Sequence, residues 1–506
     1  MKTNIALFNI ISNLFGKLIT AVLGILIPKL IIDYYGSEIN GLVTSLIGIF
    51  VYVNLLEAGV GGASVQALYS AIAKKNKTKI NGILAATSKF YKKTSIVYLV
   101  CVTTIALLYP VLVKTGINYW LVVAIVLTIA LTSFIEYYFK GIYNVLLLAD
   151  NKSYILVVSS TILSVLSSII KVLLIIFEFS IVFVLFSVLI LTTLRILFIV
   201  SYVKKNYKFL DLSVTPDFSA ISKKSAVLIQ QVLSVIINNV DILILTIFCN
   251  LKLVSLYTVY NIICIQVLFI PKMFSESLTA GFGHLFVEDK LRFKMLFDSF
   301  EALYTYLMFT VMIIAYILML PFIKLYTADI TDINYVDPWL PLLFVSIRLL
   351  ESLREPSLIV ASIAGHFNQL KWYAIFEAIL NISLSILLVR KYGIYGVLIA
   401  TIIAMLFYTI AVIRYSNKYL LRRSWIIPVR RWFINLILGS VIVYLANCFK
   451  YTITSYFDFG VVFVVFLICI GGGYLSLFSI VEAKALKVVM GYISIFFHKI
   501  RKKLLI

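Results

Sequence analysis

Between residues 5 and 480 the chain alternates long apolar runs with short polar breaks. A helix of about twenty apolar residues, rising about 1.5 Å per residue, spans the roughly 30 Å hydrocarbon core of a bilayer. Hydrocarbon satisfies no backbone N–H or C=O, so a crossing segment must be a helix or a strand of a closed barrel. Barrel strands alternate apolar and polar residues. The runs here are continuously apolar, which excludes the barrel. A hydrophobic fraction of 62% over 506 residues likewise excludes a fold that is stable in water. The sequence predicts an all-α polytopic membrane protein.

About fourteen passages are expected, near 5–32, 42–68, 94–114, 120–148, 154–177, 181–203, 225–249, 254–280, 301–325, 340–364, 372–389, 394–415, 432–449 and 458–480. None of the short connections has room for a soluble catalytic domain. The first apolar stretch is too long for a cleavable signal peptide and is interrupted by Lys17. The longest internal polar break, about 204–224, holds Asp211, Pro216, Asp217 and two lysine pairs. It divides the chain into a six-helix lobe (1–203), a cytoplasmic linker (204–224) and a second six-helix lobe (225–415). An additional helix pair (416–480) and a basic tail (481–506) follow. The leading passage of each lobe carries a polar stripe at helical spacing: Asn9, Asn13, Lys17, Thr20 and Gly24 in one, Gln230, Gln231, Ser234, Asn238 and Asp241 in the other. Two striped halves suggest pseudo-symmetric lobes facing a wet cavity, an arrangement common among transporters.

The net charge of +22 invites a nucleic-acid reading, but its placement argues for a membrane surface. Basic clusters fall at Lys74–Lys93, Lys204–Lys224, Arg414–Arg431 and in the tail. Counted from a cytoplasmic N-terminus, all of them lie on one side. The opposite loops carry few cations, and one is acidic, with Asp329, Asp332 and Asp337; Arg390 and Lys391 are the exception. This is the positive-inside pattern. It predicts both termini in the cytoplasm and an attraction to anionic lipid, with no nucleic-acid partner.

Ionisable residues within passages are costly, at roughly 2.5–3.5 kcal/mol each on insertion scales, and so mark candidate sites. Lys17 lies midway through the first passage and Glu57 in the second, within LLEAGVGGASVQ. The glycines around Glu57 are expected to serve close packing. Asp241 is the acid of the second stripe. Lys272 and Glu276 stand at i and i+4, a spacing that allows them to pair, and Glu136 and Lys140 repeat that spacing. The densest cluster is RLLESLREPS, where Arg348, Glu351 and Glu355 share one side, Arg354 sits beside Glu351, and Pro356 is expected to bend the helix. Arginine's planar fork suits a phosphate. Arg348 and Arg354 are therefore the candidate contacts to an anionic head group, and Lys17 and Lys272 are further intramembrane cations marked as candidates. Glu57, Asp241, Glu351 and Glu355 are candidates for ion coupling or structural pairing.

No GxxxxGK[ST], HExxH or GxSxG occurs, and the five cysteines and three histidines are scattered. No cofactor, metal site or catalytic residue is expected. A membrane glycosyltransferase or polymerase would need an outer-loop acid, for which Asp329, Asp332 and Asp337 are the only candidates in a short loop.

NLLEAGVGGASVQALYSAIAKKNKTKING, from Asn54 to Gly82, resembles the second-passage signature of bacterial polysaccharide exporters. NISLSILLVRKYGIYGVLIATIIA, from Asn381 to Ala404, resembles the signature of their eleventh and twelfth passages, with Gly393 and Gly396 forming the turn. Over about 1–415 the chain resembles lipid-linked oligosaccharide flippases (the O-antigen, Wzx-like type) of the multidrug/oligosaccharidyl-lipid/polysaccharide exporter superfamily. The resemblance implies two lobes working by alternating access in the bacterial cytoplasmic membrane. It implies an undecaprenyl-pyrophosphate oligosaccharide substrate, with a polymerase and sugar transferases as pathway partners for O-antigen, capsule or exopolysaccharide. A lipid II flippase and a cation-coupled multidrug antiporter of the same fold stand as alternatives.

Overall fold

Polar residues in the breaks start the helices. In the computed structural model, which describes residues 22–57, 60–113, 115–221, 235–236, 239–449, 452–488 and 490–491, the side chains of Asn76, Asn118, Asp289 and Ser455 each accept from a backbone N–H of the following first turn. Such caps satisfy donors that the helix itself leaves unpaired. Seventeen helices result, with no strand, among the described residues. They are α1 (22–35), α2 (Ser37–Val53), α3 (Val60–Ala73), α4 (Lys77–Leu112), α5 (Tyr119–Ile135), α6 (Gly141–Ala149), α7 (Ser153–Ile176), α8 (Ile181–Asn206) and α9 (Asn239–Phe248). They continue as α10 (Leu251–Val267), α11 (Phe269–Glu288), α12 (Lys290–Tyr326), α13 (Leu340–Leu353), α14 (Glu355–Ile363), α15 (Phe367–Tyr415), α16 (Ile426–Cys448) and α17 (Tyr456–Val481). The protein is a multi-pass, all-α membrane protein, as the sequence predicts.

Among the described residues, eight helices are long and apolar enough to cross a membrane, or nine if the α10–α11 pair, bent by 50°, counts as one. Local breaks account for part of the difference from fourteen, and the first and seventh expected passages (5–32 and 225–249) lie largely outside the described residues. The second passage is interrupted by a tight turn at Asn54–Glu57 between α2 and α3. The tenth breaks at Arg354, between α13 and α14, with Pro356 in the first turn of α14. The 49-residue α15 holds two expected passages joined at Gly393, whose φ of 54° and ψ of −130° are not helical. Taken end to end, the described helices follow the fourteen apolar runs in order, in whole or in part.

The described residues fall into two units. Unit 1 comprises everything up to Val259 together with Ile330–Ile333, and unit 2 comprises Tyr260–Asp329 and everything from Asn334. In unit 1, one core gathers Leu42, Leu46, Val102, Val122 and Val126, and a second gathers Leu68, Ile83, Leu146 and Val203. In unit 2, α12 is the central helix: 67% of its apolar window is buried, against 11% for α7 in unit 1. Tyr306, Phe309 and Ile313 of α12 pack against Trp432 of α16 and Tyr474 and Phe478 of α17. Lipid tails are as apolar as these side chains, so close packing and polar contacts, rather than release of water, hold the helices together. Arg431 of α16 supplies the polar contact. Its guanidinium lies 3.0 Å from both Asp298 and Glu301 of α12 and 2.9 Å from Glu482 after α17. Arg423 joins the same two α12 acids. These two arginines belong to the basic break that sets the charge asymmetry, and they also neutralise the buried Glu301 and the partly exposed Asp298. Residues 483–488 are helical, and Ala485 packs into this core.

Candidate functional site

The charged segment of the tenth passage organises the polar interior of unit 2. Arg348 and Glu351 stand one turn apart on α13, so their side chains meet, with Arg348 Nη1 2.5 Å from Glu351 Oε2. Lys272 reaches in from α11 and places its Nζ 2.6 Å from Glu351 Oε1. Both oxygens of one carboxylate are thereby engaged, and the other Arg348 amine donates to Asn261 of α10. Two cations share one acid, which leaves the trio one net positive charge. The Arg348 and Glu351 side chains are largely enclosed, whereas that of Lys272 is 43% exposed. Lys272 pairs with Glu351 rather than with its own-helix neighbour Glu276, which is exposed.

Arg354 faces different surroundings. Its Nη1 donates to Glu377 of α15 at 2.8 Å, with side-chain exposures of 10% and 1%. Its guanidinium also lies over the Tyr408 ring, 4.9 Å from the centroid. This pair is closed off by its own neighbours. Glu377 lies in an apolar run and carries the same intramembrane-charge signal as its partner, but only its three-dimensional pairing sets it apart. Glu355, at the start of α14, makes no hydrogen bond or ion pair with any described residue.

In unit 1, Asp241 of α9 is 7% exposed and accepts from the Tyr257 hydroxyl of α10 at 3.2 Å. Glu57 closes the turn between α2 and α3, and its side chain lies outside the described residues. So do Lys17 and, Gly24 and Asp241 apart, the two polar stripes. Unit 1 also holds a cavity of about 840 Å³, lined among others by Gln66, Tyr69, Tyr91, Glu136, Tyr137 and Asn144. Glu136, in a widened helical turn between α5 and α6, pairs with Arg195 of α8 at 3.4 Å. The expected packing role of the second-passage glycines holds for Gly61: a Cβ there would stand 3.0 Å from the Tyr91 hydroxyl. Beside the cavity, the 150–152 turn is fastened by Lys152, which lies 2.9 Å from Asp150 and donates to Tyr207 at 3.0 Å. Burial opposes ionisation of Asp150, but the Tyr207 hydroxyl and the Lys152 ammonium outweigh it and hold the carboxyl below its usual range. Burial, then the Asp150 contact, push the Tyr207 phenol up to about 12.

Two of the three loop acids Asp329, Asp332 and Asp337 have structural partners. Asp332 accepts from the Ser37 backbone N–H at 3.0 Å and its hydroxyl at 2.7 Å, capping α2. Asp337 accepts from the Trp339 N–H at 2.9 Å and from the Tyr395 hydroxyl.

This fold is that of known transporters. The chain superposes on a solved structure of the lipid II flippase MurJ in an inward closed conformation with a TM-score of 0.71 at 16% identity, covering 93% of this chain and 99% of that one. An inward-facing MATE-family multidrug resistance transporter of the MOP superfamily gives 0.58 at 14% identity, covering 85% and 96%. A solved structure of the MATE multidrug transporter DinF-BH gives 0.53 at 15% identity, covering 80% and 93%. No family model and no curated protein matches the sequence.

Proposed function

We propose that the protein is a flippase that moves undecaprenyl-pyrophosphate-linked oligosaccharide repeat units across the bacterial cytoplasmic membrane by alternating access. The products would serve O-antigen, capsule or exopolysaccharide synthesis. The observation that carries this reading is the Lys272–Glu351–Arg348 trio: a net positive charge set in apolar passages, with one ammonium left half-exposed. An anionic head group cannot enter hydrocarbon unaided, and a cation there lowers that barrier. Lys17, in the polar stripe of the first passage, is proposed as a further contact. Arg354 is proposed to stabilise α15 through Glu377 rather than to meet substrate. Asp241, and Glu355 in the field of Lys272 and Arg354, are the proposed coupling acids, with Glu57 a further candidate. Transport indifferent to both proton and sodium gradients would remove that role. A lipid II flippase would use the trio in the same way, and the substrate accepted by the purified protein separates the two readings.

The test is substitution in the producing cell. Lys272→Ala and Arg348→Ala should abolish surface polysaccharide while membrane levels of the protein stay at the parent value. Normal polysaccharide in both variants would remove the trio from the site.

A further inference from the structure

A groove of about 390 Å³ lies between the two halves of α15, at the end from which they enter and leave the membrane. It is lined by Tyr373 of the first half, by Phe407, Ile410, Ala411, Arg414 and Tyr415 of the second, and by Lys418 and Tyr419 just beyond it. No acid lines it. Arg414 and Lys418 are both exposed and neither forms an ion pair with a described residue; Lys418 lies over the Tyr419 ring, 5.3 Å from its centroid. Tyr415 is held by a 2.7 Å contact to His366 Nδ1. Below the cations, Ile403, Phe407 and Ile410 recur at helical spacing along the face that carries Arg414, each 40–43% exposed. The Phe376 ring lies tilted at 48° against Phe407, centroids 4.5 Å apart, and extends this apolar track. Tyr373, Tyr415 and Tyr419 bring three aromatic rings to the lining.

We propose that this groove is a binding site for one anionic bilayer phospholipid. Its phosphate would meet Arg414 and Lys418, and its acyl chains would run along Phe407, Phe376 and Ile403. Charge complementarity selects an anion, because both cations lack a neutralising partner. The apolar track continuous with the polar rim selects a lipid over a free phosphate. Tyrosine, of which the lining holds three, favours the head-group level of a bilayer. The volume suits a single phosphodiester head group, whereas a pyrophosphate bearing several sugars exceeds it. The site is separate from the Lys272 trio, and its occupancy does not depend on what the protein transports.

The experiment titrates the full-length purified protein with phosphatidylglycerol or phosphatidylcholine and counts bound lipid by native mass spectrometry. The parent should retain one phosphatidylglycerol preferentially. Arg414→Gln/Lys418→Gln should lose that lipid, with affinity reduced roughly 30-fold from about 1 kcal/mol per cation. Lys204→Gln/Lys205→Gln, in unit 1, should not. In Tyr373→Trp, which places the probe in the groove lining, brominated phosphatidylglycerol should quench the added tryptophan more strongly than brominated phosphatidylcholine, which assigns the lipid to this groove even if the double variant folds poorly. Equal retention of the two phospholipids, unchanged phosphatidylglycerol binding in the groove variant, or preferential retention of undecaprenyl pyrophosphate at this position would overturn the assignment.

Discussion

Two arginines six residues apart lie in contrasting environments, and the contrast separates binding from bracing. Arg354 sits against a carboxylate that is 1% exposed. Removing one partner of such a pair leaves the other charge buried and uncompensated, at a typical cost of about 3–5 kcal/mol. Arg354→Ala is therefore expected to lower the unfolding temperature of the detergent-solubilised protein markedly. Arg354→Met/Glu377→Leu, which removes both charges, should recover most of the loss. A single variant as stable as the parent would contradict the bracing role. Arg348 shares its carboxylate with a half-exposed lysine, so Arg348→Ala leaves Glu351 still paired and should disturb function more than fold. The sequence marks both arginines through one signal, an ionisable residue in an apolar run. That signal cannot distinguish them, because the partners, Glu377 and Lys272, lie on other passages and are brought in by packing.

At the scale of the element, the sequence is legible wherever a local rule decides the backbone. Pro356 removes a helical N–H and the tenth passage breaks beside it. The Gly393–Gly396 turn is legible as a motif, and the two glycines meet different needs. Gly393 adopts φ of 54° with ψ of −130°, a conformation costly to any residue with a Cβ. At Gly396 a Cβ would stand 2.4 Å from the Leu388 carbonyl oxygen, so this residue permits the two halves of α15 to approach. Gly393→Ala should cost about 1–3 kcal/mol through backbone strain alone. Gly396→Val should be worse, because backbone must move. Circular dichroism melts of the two variants read the difference, and equal stability of Gly396→Val and parent would contradict the close approach. The kinked joins within the second and eighth passages are less legible, because glycine clusters and apolar periodicity fix helix identity but not bend angle.

For the whole molecule, the alternation of apolar runs and the charge asymmetry suffice to establish a polytopic all-α protein. The arrangement of the last helix pair is not readable from them. Arg423 and Arg431 count as loop cations in the sequence, yet they neutralise Asp298, Glu301 and Glu482 and fasten α16 and α17 to α12. Such long-range pairing leaves no trace in local spacing. The central claim is that the Lys272–Arg348 charge admits a pyrophosphate-linked oligosaccharide to a route across the membrane. The direct measurement reconstitutes the protein in liposomes with a fluorescent undecaprenyl-pyrophosphate oligosaccharide and follows its exposure to a membrane-impermeant quencher. Parent protein should bring inner-leaflet probe to the outer face, and Lys272→Ala/Arg348→Ala should leave it protected, as in protein-free vesicles. Equal exposure with parent and double variant, or no exposure with the parent while a lipophilic drug cation is moved instead, would contradict the claim.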